Sequence, residues 1–582
     1  MHLDFYESMI HVCGSEEEGR LLLSIPGAVR SGSGVSIPPD RLGVLATEVC
    51  GKVTEATDAY RDARDRLLGF DEARVQRAME AIRQTGADPD QLLTHQRAAI
   101  VQFYDQRAAY LAADMGVGKS RIALLLARLW GGLRVLVVCQ KGIVSQWEEQ
   151  QRLLWPKERD RAIVEQLDRG TLEERAKALR DCGPVDWRQR RVLFGVNYDV
   201  IAPRFVARSQ KVFSPGLCSD LAAWEPDVLI LDEPWILKSP TAAVTKALTC
   251  LTKDWRERGV LKGVIGLAGT PWGNHAGDIW SQLRIIAPEV VPETYFEFLQ
   301  SFATFEQRRV RRGNQVIKPV GLRDPVGLIR KLEPIWFRAS KEACLDLPPK
   351  RTHRVELVLP RDTQKLYREV KKDGLAALGD ELALDGAREV AIRLQQIAGG
   401  HVPVPHGEGW HLNPLANCPK IEWLREFASS VLVADPSARC LVWCQFIAEI
   451  ERVTEVLREV LGGTRAVSCY GRTAEVALRL AKADYQSRRP ELTQVLVCQY
   501  QKMAAAHDLY ATSHAIYFSP TWSYLLRSQS EDRGHRIGND TGVQLVDLVA
   551  KGTIDETVLA CLARKRDFVA QMMIDTTVAA RK

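Results

Sequence analysis

The stretch Ala113-Asp-Met-Gly-Val-Gly-Lys-Ser120 decides the fold of this chain. An apolar run, residues 109–113, precedes it. In residues 119–129 apolar side chains recur at the i, i+3, i+4 and i+7 spacing of one buried helical face. The pattern predicts a strand, a glycine-containing loop and a helix. In such a loop, backbone N–H groups and the helix N-terminus bind phosphate.

The residues of this loop have separate predicted roles. Asp114, Gly116 and Gly118 form the loop, Lys119 reaches the β- and γ-phosphates, and Ser120 holds Mg²⁺. The usual pattern has glycine at position 113, where this chain has alanine, so the assignment needs support from other motifs.

A second motif supports it. The apolar run 228–231 predicts a buried strand that leads directly into Asp232 and Glu233. Two carboxylates at the carboxyl end of a buried strand are costly unless they serve a metal or base chemistry, and ligands of open α/β sheets bind at that edge. Asp232 is predicted to coordinate Mg²⁺ through water and Glu233 to polarise an attacking water. The alternative is a helix-capping Asp beside a solvated Glu.

Two further residues are weaker candidates. Gln96 precedes an apolar helix-like run and its amide is suited to an adenine edge, although in isolation a surface Gln at a helix start is the simpler interpretation. Thr270 follows the predicted strand 264–267 and is suited to link the nucleotide site to a second domain. Its simpler interpretation is a turn residue before Pro271.

An arginine motif lies near the C-terminal end. Gln529, Arg533 and Arg536 are spaced by four and three residues, so on a helix they share one face, with Gly538 as the predicted C-cap. Two guanidiniums side by side repel each other, which favours an anion between them. They are predicted to act as arginine fingers on a γ-phosphate; surface salt bridges are the alternative.

A basic turn and a set of histidines complete the candidate sites. Clustered basic side chains suit backbone phosphates of DNA, although a solvated loop is an equally good interpretation. The cluster consists of Arg308, Arg309, Arg311, Arg312 and Lys318. His401, His406, His411 and Cys418 match no zinc spacing, so no metal is expected there.

Composition bounds the class of protein. The chain has 582 residues and a net charge of +6, so any site for a polyanion has to come from local clustering. The 13 cysteines form no CxxC pair and indicate reduced thiols in a cytosolic-type compartment. No leader sequence and no run of about 18 apolar residues is evident, which argues against secretion and membrane insertion.

Strand and helix patterns predict an α/β fold with parallel sheets. The predicted units are an N-terminal accessory domain with a helical linker (1–88), a first lobe (89–285), helical insertions with the basic loop (286–412) and a second lobe (413–582).

Taken together, these motifs resemble helicase superfamily two, and more narrowly the Swi/Snf type of ATPase. The resemblance covers roughly residues 90–565. It depends on seven motifs in order along the chain, which are Gln96, 114–120, 135–139 with Gln146-Trp147, Asp232-Glu233, 269–271 with Asn274, 443–446 and 529–538. Residues 346–350 and 548–554 give further support.

The resemblance implies two RecA-like lobes of the P-loop NTPase type with ATP and Mg²⁺ between them. It implies DNA-stimulated ATP hydrolysis and movement along duplex DNA through backbone contacts. Carried over by position, Gln96 contacts adenine, Lys119 the phosphates, Ser120 and Asp232 serve Mg²⁺, Glu233 activates water, and Arg533 and Arg536 are the fingers, with Gln529 beside them.

Two departures bear on mechanism. The family usually has Ala-His after the two carboxylates, where this chain has Pro234-Trp235, and indole cannot exchange a proton as imidazole does. A glycine-rich motif is replaced by residues 501–509, in which alanines hinder close backbone approach.

Other interpretations stay open. They are a strand-separating DNA or RNA helicase, and a DNA-binding module with a weakened motor. The expected setting is cytoplasmic, with a nucleoid-associated or viral context favoured because no Lys/Arg-rich import-like run is evident; a nuclear setting is not excluded. The sequence does not indicate protein partners or oligomeric state.

Overall fold

The protein is described by a computed structural model. It covers residues 72–141, 143–167, 170–181, 191–205, 212–214, 216–272, 276–309, 315–344, 347–378, 384–406, 409–503, 509–536 and 538–579, with five short strands between residues 2 and 56. Two compact units are present. The first comprises Met1–Arg308, Ile317–Leu345 and Gln571–Lys582, and the second Arg309–Val316 and Asp346–Ala570.

Before residue 345, the described residues form sixteen strands and eleven α-helices. The strands are β1 His2–Tyr6, β2 Met9–Cys13, β3 Val29–Ser31, β4 Gly34–Ile37, β5 Glu55–Ala56, β6 Ala108–Ala113, β7 Arg134–Cys139, β8 Ile163–Gln166, β9 Val192–Asn197, β10 Arg204–Phe205, β11 Val212–Ser214, β12 Val228–Asp232, β13 Gly263–Leu267, β14 Ala303–Arg309, β15 Gln315–Leu322 and β16 Trp336–Ala339. The helices are α1 Glu72–Gln84, α2 Thr94–Phe103, α3 Lys119–Leu129, α4 Val144–Leu154, α5 Leu172–Asp181, α6 Cys218–Trp224, α7 Ala243–Glu257, α8 Trp280–Ile286, α9 Tyr295–Phe302, α10 Pro325–Leu332 and α11 Lys341–Cys344.

A seven-stranded sheet of order β16-β6-β13-β12-β7-β9-β8 forms the core of the first unit, and its strand pairs are all parallel. Its central strands are apolar and β-branched, and β7, β12 and β13 are buried along almost their whole length. That is the pattern of strands covered by helices on both faces. The strands near the N-terminus form a separate sheet of order β3-β4-β2-β1-β5.

The remaining elements follow in the second unit, except for the end of the last helix from Gln571 on, which belongs to the first unit. The strands are β17 Lys350–Leu357, β18 His401–His406, β19 Gly409–Pro414, β20 Cys440–Cys444, β21 Ala466–Cys469, β22 Val495–Gln499, β23 His514–Tyr517 and β24 Val543–Ala550. The helices are α12 Arg361–Leu378, α13 Leu384–Ala398, α14 Pro419–Phe427, α15 Ile447–Leu461, α16 Glu475–Ser487, α17 Tyr500–Met503, α18 Tyr524–Glu531 and α19 Ile554–Ala579. A second all-parallel sheet has the order β17-β24-β23-β20-β22-β21.

The predicted α/β fold with two parallel sheets is confirmed. Helix α3 begins and ends at the predicted residues. The segment predicted to hold helical insertions does hold α9, α10, α12 and α13, but it also supplies β16 to the first sheet and β17 to the second. Within the predicted helical linker, Glu72–Gln84 does form helix α1, whereas residues 55 and 56 form strand β5.

A buried ion pair joins distant parts of the second unit. Lys420 Nζ lies 2.7 Å from Asp555 Oδ2, both side chains are 1% exposed, and the ammonium also donates to the Phe518 carbonyl. The same carboxylate accepts the Ala550 N–H. Each charge is thus paired and hydrogen-bonded, the condition under which a buried pair is tolerated.

We therefore expect Lys420→Met to destabilise the second unit strongly, by about 3–5 kcal/mol, because Asp555 would stay buried without its cation. The measurement is denaturant-induced unfolding. Arg425→Met is the matched control, because Arg425 pairs with Glu459 at 2.8 Å in an exposed position. This substitution should lower the free energy of unfolding by less than ~1 kcal/mol. Equal effects of the two substitutions would contradict the assignment.

Candidate functional site

Three loops of the first unit meet at the carboxyl edge of its sheet. In the parallel register, Asp232 of β12 lies beside Leu267 of β13, and Leu267 beside Leu111 of β6. The Glu233 N–H donates to the Leu267 carbonyl at 2.8 Å, and the Ala268 N–H donates to that of Leu111 at 3.1 Å. The phosphate loop, the two carboxylates and the loop of Thr270 therefore leave the sheet side by side.

The phosphate loop has the backbone that its glycines permit. Gly116 and Gly118 have φ angles of 89° and 91°, in the left-handed region that glycine tolerates best. Lys119 begins α3 and is 9% exposed, and its Nζ donates to the Ala113 carbonyl at 2.6 Å and the Asp114 carbonyl at 3.2 Å. Loop carbonyls thus hold the ammonium at the start of the helix.

Gln96 connects helix α2 to the phosphate loop. Its Nε2 donates to the Val117 carbonyl at 3.0 Å, its Oε1 accepts the Leu93 N–H, and the residue is 2% exposed. His95, which the sequence analysis did not single out, contacts the same carbonyl through Nε2 at 2.7 Å. A Cβ on Gly118 would lie 2.1 Å from Gln96 Nε2. The amide therefore supports the loop directly, whatever else it binds.

Asp114 contacts the strand on the other side of β6. Its Oδ1 accepts Arg338 Nη1 at 2.8 Å and its Oδ2 accepts the Lys341 N–H at 3.0 Å. Burial on its own would raise the pKa of Asp114, but Arg338, the Lys341 N–H and Lys119 outweigh it and lower that pKa. This carboxylate anchors the loop to β16, a role that the sequence did not indicate because Arg338 is 224 residues away.

Its backbone conformation and a side-chain hydrogen bond both restrain Glu233. It has a left-handed φ of 55° and precedes a short 3₁₀ turn, Pro234–Leu237. Trp235 Nε1 donates to Glu233 Oε2 at 2.8 Å, and Glu233 is 6% exposed. The tryptophan that replaces the family's usual histidine is therefore a direct hydrogen-bond donor to the candidate base.

The loop of Thr270 is held by a buried glutamine. Gln282 Nε2 donates to the Pro271 carbonyl at 3.0 Å, and its Oε1 accepts the Tyr110 hydroxyl. A Cβ on Gly269 would lie 3.8 Å from Lys119 Nζ, so this loop runs beside the phosphate-loop lysine. Tyr110 and Gln282 were missed by the sequence analysis, which had no signal that pairs β6 with α8.

The arginine motif has a different local structure from the one predicted. Helix α18 ends at Glu531 with Asp532 as its C-cap, so Arg533 and Arg536 lie in the following turns and not on a helical face with Gln529, and Gly538 is not the cap. Arg533 is fully buried, and its Nε donates to the Gln529 carbonyl at 3.1 Å. Burial lowers the pKa of Arg536 to about 10, which leaves it charged at neutral pH.

A buried arginine that the sequence analysis missed positions this motif. Arg527 of α18 pairs through both Nη atoms with Asp547 of β24, donates from Nε to Glu531 at 2.7 Å, and lies over the Tyr517 ring. Burial alone would raise the pKa of Glu531, but Arg527 and Lys350 lower it. This network attaches α18, and the turn that carries Arg533, to the second sheet.

The other candidates are less well defined. Arg308, Arg309 and Lys318 belong to β14 and β15, their side chains are outside the described ones, and Arg311 and Arg312 lie outside the described residues. Ser120 is the second residue of α3, and Asp232 ends β12. Among the described residues, no group of three or more His, Cys, Asp or Glu side chains could hold a metal ion. None of the described helices combines the length and apolar character that a membrane crossing requires.

Comparison with known families identifies the chain. The model of the SNF2-related domain matches residues 54–397, which is more than half of the 582 residues. The chain belongs to the SNF2-related domain family. The resemblance to Swi/Snf-type ATPases that the motifs indicated is thereby confirmed.

Similar curated proteins bear helicase or translocase names. A putative ATP-dependent helicase/translocase, YwqA, of Bacillus subtilis is 23% identical over 55% of this chain and 34% of its own length. An uncharacterised ATP-dependent helicase of Mycoplasma pneumoniae is 22% identical over 60% of this chain and 30% of its own. The mouse DNA annealing helicase and endonuclease ZRANB3 is 24% identical over 58% and 29%.

The SNF2-related chain thus matches about a third of the length of these relatives. Among solved structures, the Sulfolobus solfataricus SWI2/SNF2 ATPase core in complex with dsDNA covers 84% of this chain and 95% of its own, at 19% identity and a TM-score of 0.34.

A Cβ at position 118 would collide with Gln96, so we expect Gly118→Ala to weaken nucleotide binding by about tenfold or more. The left-handed backbone at this position costs an alanine a further ~1–2 kcal/mol of conformational free energy. Titration with a fluorescent ATP analogue measures this. Gly462→Ala is the control, since Gly462 also has a positive φ of 81° but meets nothing within 4 Å. Combining Gln96→Ala with Gly118→Ala should lower affinity by less than the sum of the two single losses, because removal of the amide relieves the collision; strictly additive losses would show that Gln96 is not the obstacle.

Proposed function

We propose that this SNF2-related chain is a DNA-dependent ATPase that couples ATP hydrolysis to translocation on duplex DNA or to remodelling of DNA and protein–DNA structures. One observation carries the proposal. The phosphate loop, Asp232-Glu233 and the loop of Thr270 emerge side by side from three adjacent parallel strands. Open α/β sheets bind ligands at that edge.

ATP is the proposed nucleotide and Mg²⁺ the proposed ion. The Ser120 hydroxyl and the Asp232 carboxylate are hard oxygen donors of the kind that Mg²⁺ prefers. Mg²⁺ is usually held by one or two carboxylates together with substrate phosphates and water, which fits so small a donor set. The bound ion would neutralise charge on the phosphates.

The chain's own residues divide the remaining work. Asp114, Gly116 and Gly118 shape the loop that surrounds the phosphates, and Lys119 exchanges its contacts with loop carbonyls for phosphate oxygens. Glu233 orients and polarises the attacking water. Gln96 is proposed to contact adenine while it supports the loop at Val117, and Thr270 to transmit the state of the nucleotide along its loop.

In the second unit, Arg533 and Arg536 are proposed to stabilise the charge that develops on the γ-phosphate during transfer, as arginine fingers do, with Gln529 beside them. The fixed position of Arg533 supports the proposal, because the residue is fully buried and its Nε donates to the Gln529 carbonyl.

DNA is the proposed partner, bound mainly through backbone phosphates. Relatives named as DNA annealing helicase and as helicase/translocase support this. The basic turn at residues 308–318 stays a proposed DNA contact. A reducing, cytoplasmic-type compartment is also proposed, and the cysteines whose side chains are described are free thiols.

The decisive experiment measures ATPase activity with no polymer, with single-stranded DNA, with duplex DNA and with RNA. We expect the largest stimulation by duplex DNA. Greater stimulation by single strands or RNA, together with strand displacement, would favour a strand-separating helicase instead. The absence of ATPase activity under every condition would favour a DNA-binding module without a motor.

Substitutions test the assigned roles. Glu233→Gln, Arg533→Ala and Arg536→Ala should each reduce turnover by a factor of ~10³ or more while ATP binding persists, because an arginine finger alone can contribute 10³–10⁵ in rate. Turnover is followed by phosphate release and binding by a fluorescent analogue. Turnover at the parent rate in both arginine variants would refute their role.

Trp235→Phe should lower kcat by about tenfold and leave KM for ATP unchanged, since it removes a hydrogen bond of ~1.5–3 kcal/mol to a charged group that orients Glu233. Trp235→His keeps a ring N–H and should recover part of kcat. The neighbouring Ile236→Val serves as control. If Trp235→Phe turns over as fast as the parent, the indole is packing only.

A further inference from the structure

Helix α12 carries a row of four basic side chains. Arg361, Lys365, Arg368 and Lys372 are spaced by four, three and four residues. At 100° per residue they fall within an arc of about 60°, so they form a single narrow stripe along the helix. We call these four residues the α12 stripe.

The opposite side of the helix is buried and fixes the direction of the stripe. Tyr367 packs with Leu394 and Ile397 of α13, and Leu366 and Val370 pack against the same cluster. The Tyr367 hydroxyl also accepts the N–H of Ile554, the first residue of α19. Because these contacts hold one side of α12 against its neighbours, the stripe faces away from them, and all four of its side chains are exposed.

Intramolecular ion pairs do not neutralise the stripe. In the part of the chain that the structure describes, none of its four cations lies within 4.0 Å of a carboxylate, although Asp362 and Glu369 occupy the adjacent arc of the helix. Arg368 donates from Nε to the Gln364 carbonyl, one turn earlier in the helix. The stripe is therefore a linear array of positive charge that has stayed available for an external anion.

The length of the stripe matches a polyanion and not a single phosphate. Eleven residues of helix rise by about 16 Å, and one strand of B-DNA places a phosphate about every 3.4 Å along its axis. The array can therefore contact several successive phosphates of one strand. Lysine and arginine on a rigid helix provide such contacts without reading bases.

We propose that the α12 stripe binds the phosphate backbone of duplex DNA. This assignment deepens the proposed function, since it names a surface for the same polymer, and it is separate from the basic turn at residues 308–318. Its contribution is electrostatic and independent of sequence, so it keeps the second unit on the duplex without specifying where.

The test is the salt dependence of DNA binding without ATP. Fluorescence anisotropy with a mixed-sequence duplex of about 25 base pairs gives the slope of log K against log salt, which changes by about 0.9 for each phosphate contact. The variant R361Q/K365Q/R368Q/K372Q should reduce the slope by about 3–4. Its control, R425Q/R472Q/R479Q/R489Q, removes the same charge from exposed arginines on other elements of the same unit and should change the slope by less than about one.

A slope equal to the parent's in the stripe variant, or an equal fall in the control variant, would overturn the proposal. An equal loss of binding to polyglutamate would show a general anion surface and overturn the assignment to DNA. Single substitutions, each expected to lower the slope by about one, replace the fourfold variant if thermal unfolding shows that it is misfolded. ATPase activity of the parent protein with and without saturating duplex DNA separates the two hypotheses, because a parent that hydrolyses ATP under neither condition refutes the proposed function and leaves the slopes interpretable.

Discussion

The parallel register of β6, β13 and β12 is the constraint on which the candidate site depends. Leu111, Leu267 and Asp232 lie level with one another, so the three chain segments that follow them start from one edge. A shift of one residue in a strand would move every side chain of that strand to the other face of the sheet. Both faces of β12 and β13 are buried, so such a shift would place each side chain in a packing site shaped for its neighbour; at Gly266, for example, a Cβ would lie 2.4 Å from Ile286 Cδ1. The same strand register therefore determines both the packing of the core and the position of the candidate site.

The buried strands could be predicted because their residues carry the whole signal. Runs such as 135–139 and 228–231 are apolar and β-branched, and burial on both faces requires just that composition. Strand β17 lacked the signal. It forms the edge of the second sheet, its residues from Lys350 to Arg354 are exposed, and charges along it discourage pairing with another chain. By its sequence pattern alone, an edge strand of this kind cannot be distinguished from a polar loop. Strand β16 has only four residues, too few to show an alternation.

The ion-pair partners of charged residues could not be predicted from the sequence either. Asp114 meets Arg338, and Arg527 meets Asp547, only because the sheets bring β16 to β6 and α18 to β24. Spacing along the chain predicted one helical face for Gln529, Arg533 and Arg536, yet the helix ends at Glu531. Tertiary hydrogen bonds favour that ending, since the Asn539 amide donates to the carbonyls of Thr512 and Gly534 and holds the turn against the sheet. Local periodicity shows that a helix could form, but tertiary contacts with neighbouring segments determine the residue at which it ends.

The hydrogen bond between Trp235 and Glu233 bears on how hydrolysis is coupled to the polymer. It joins residues two apart across Pro234, so it forms wherever the short turn forms and needs nothing from the second unit. An indole N–H can donate but cannot accept a proton, unlike an imidazole. In this chain the residue at position 235 therefore donates a hydrogen bond to the Glu233 carboxylate and cannot relay a proton. The contacts around Gln96, Asp114 and Gln282 are likewise complete within the first unit. If nucleotide binding is thus a local property of the first unit, dependence on DNA has to enter through groups outside it. In the proposed mechanism the guanidiniums of Arg533 and Arg536 are those groups, and the buried pairing of Arg527 with Asp547 gives the helix before them a fixed attachment through which such a signal can pass.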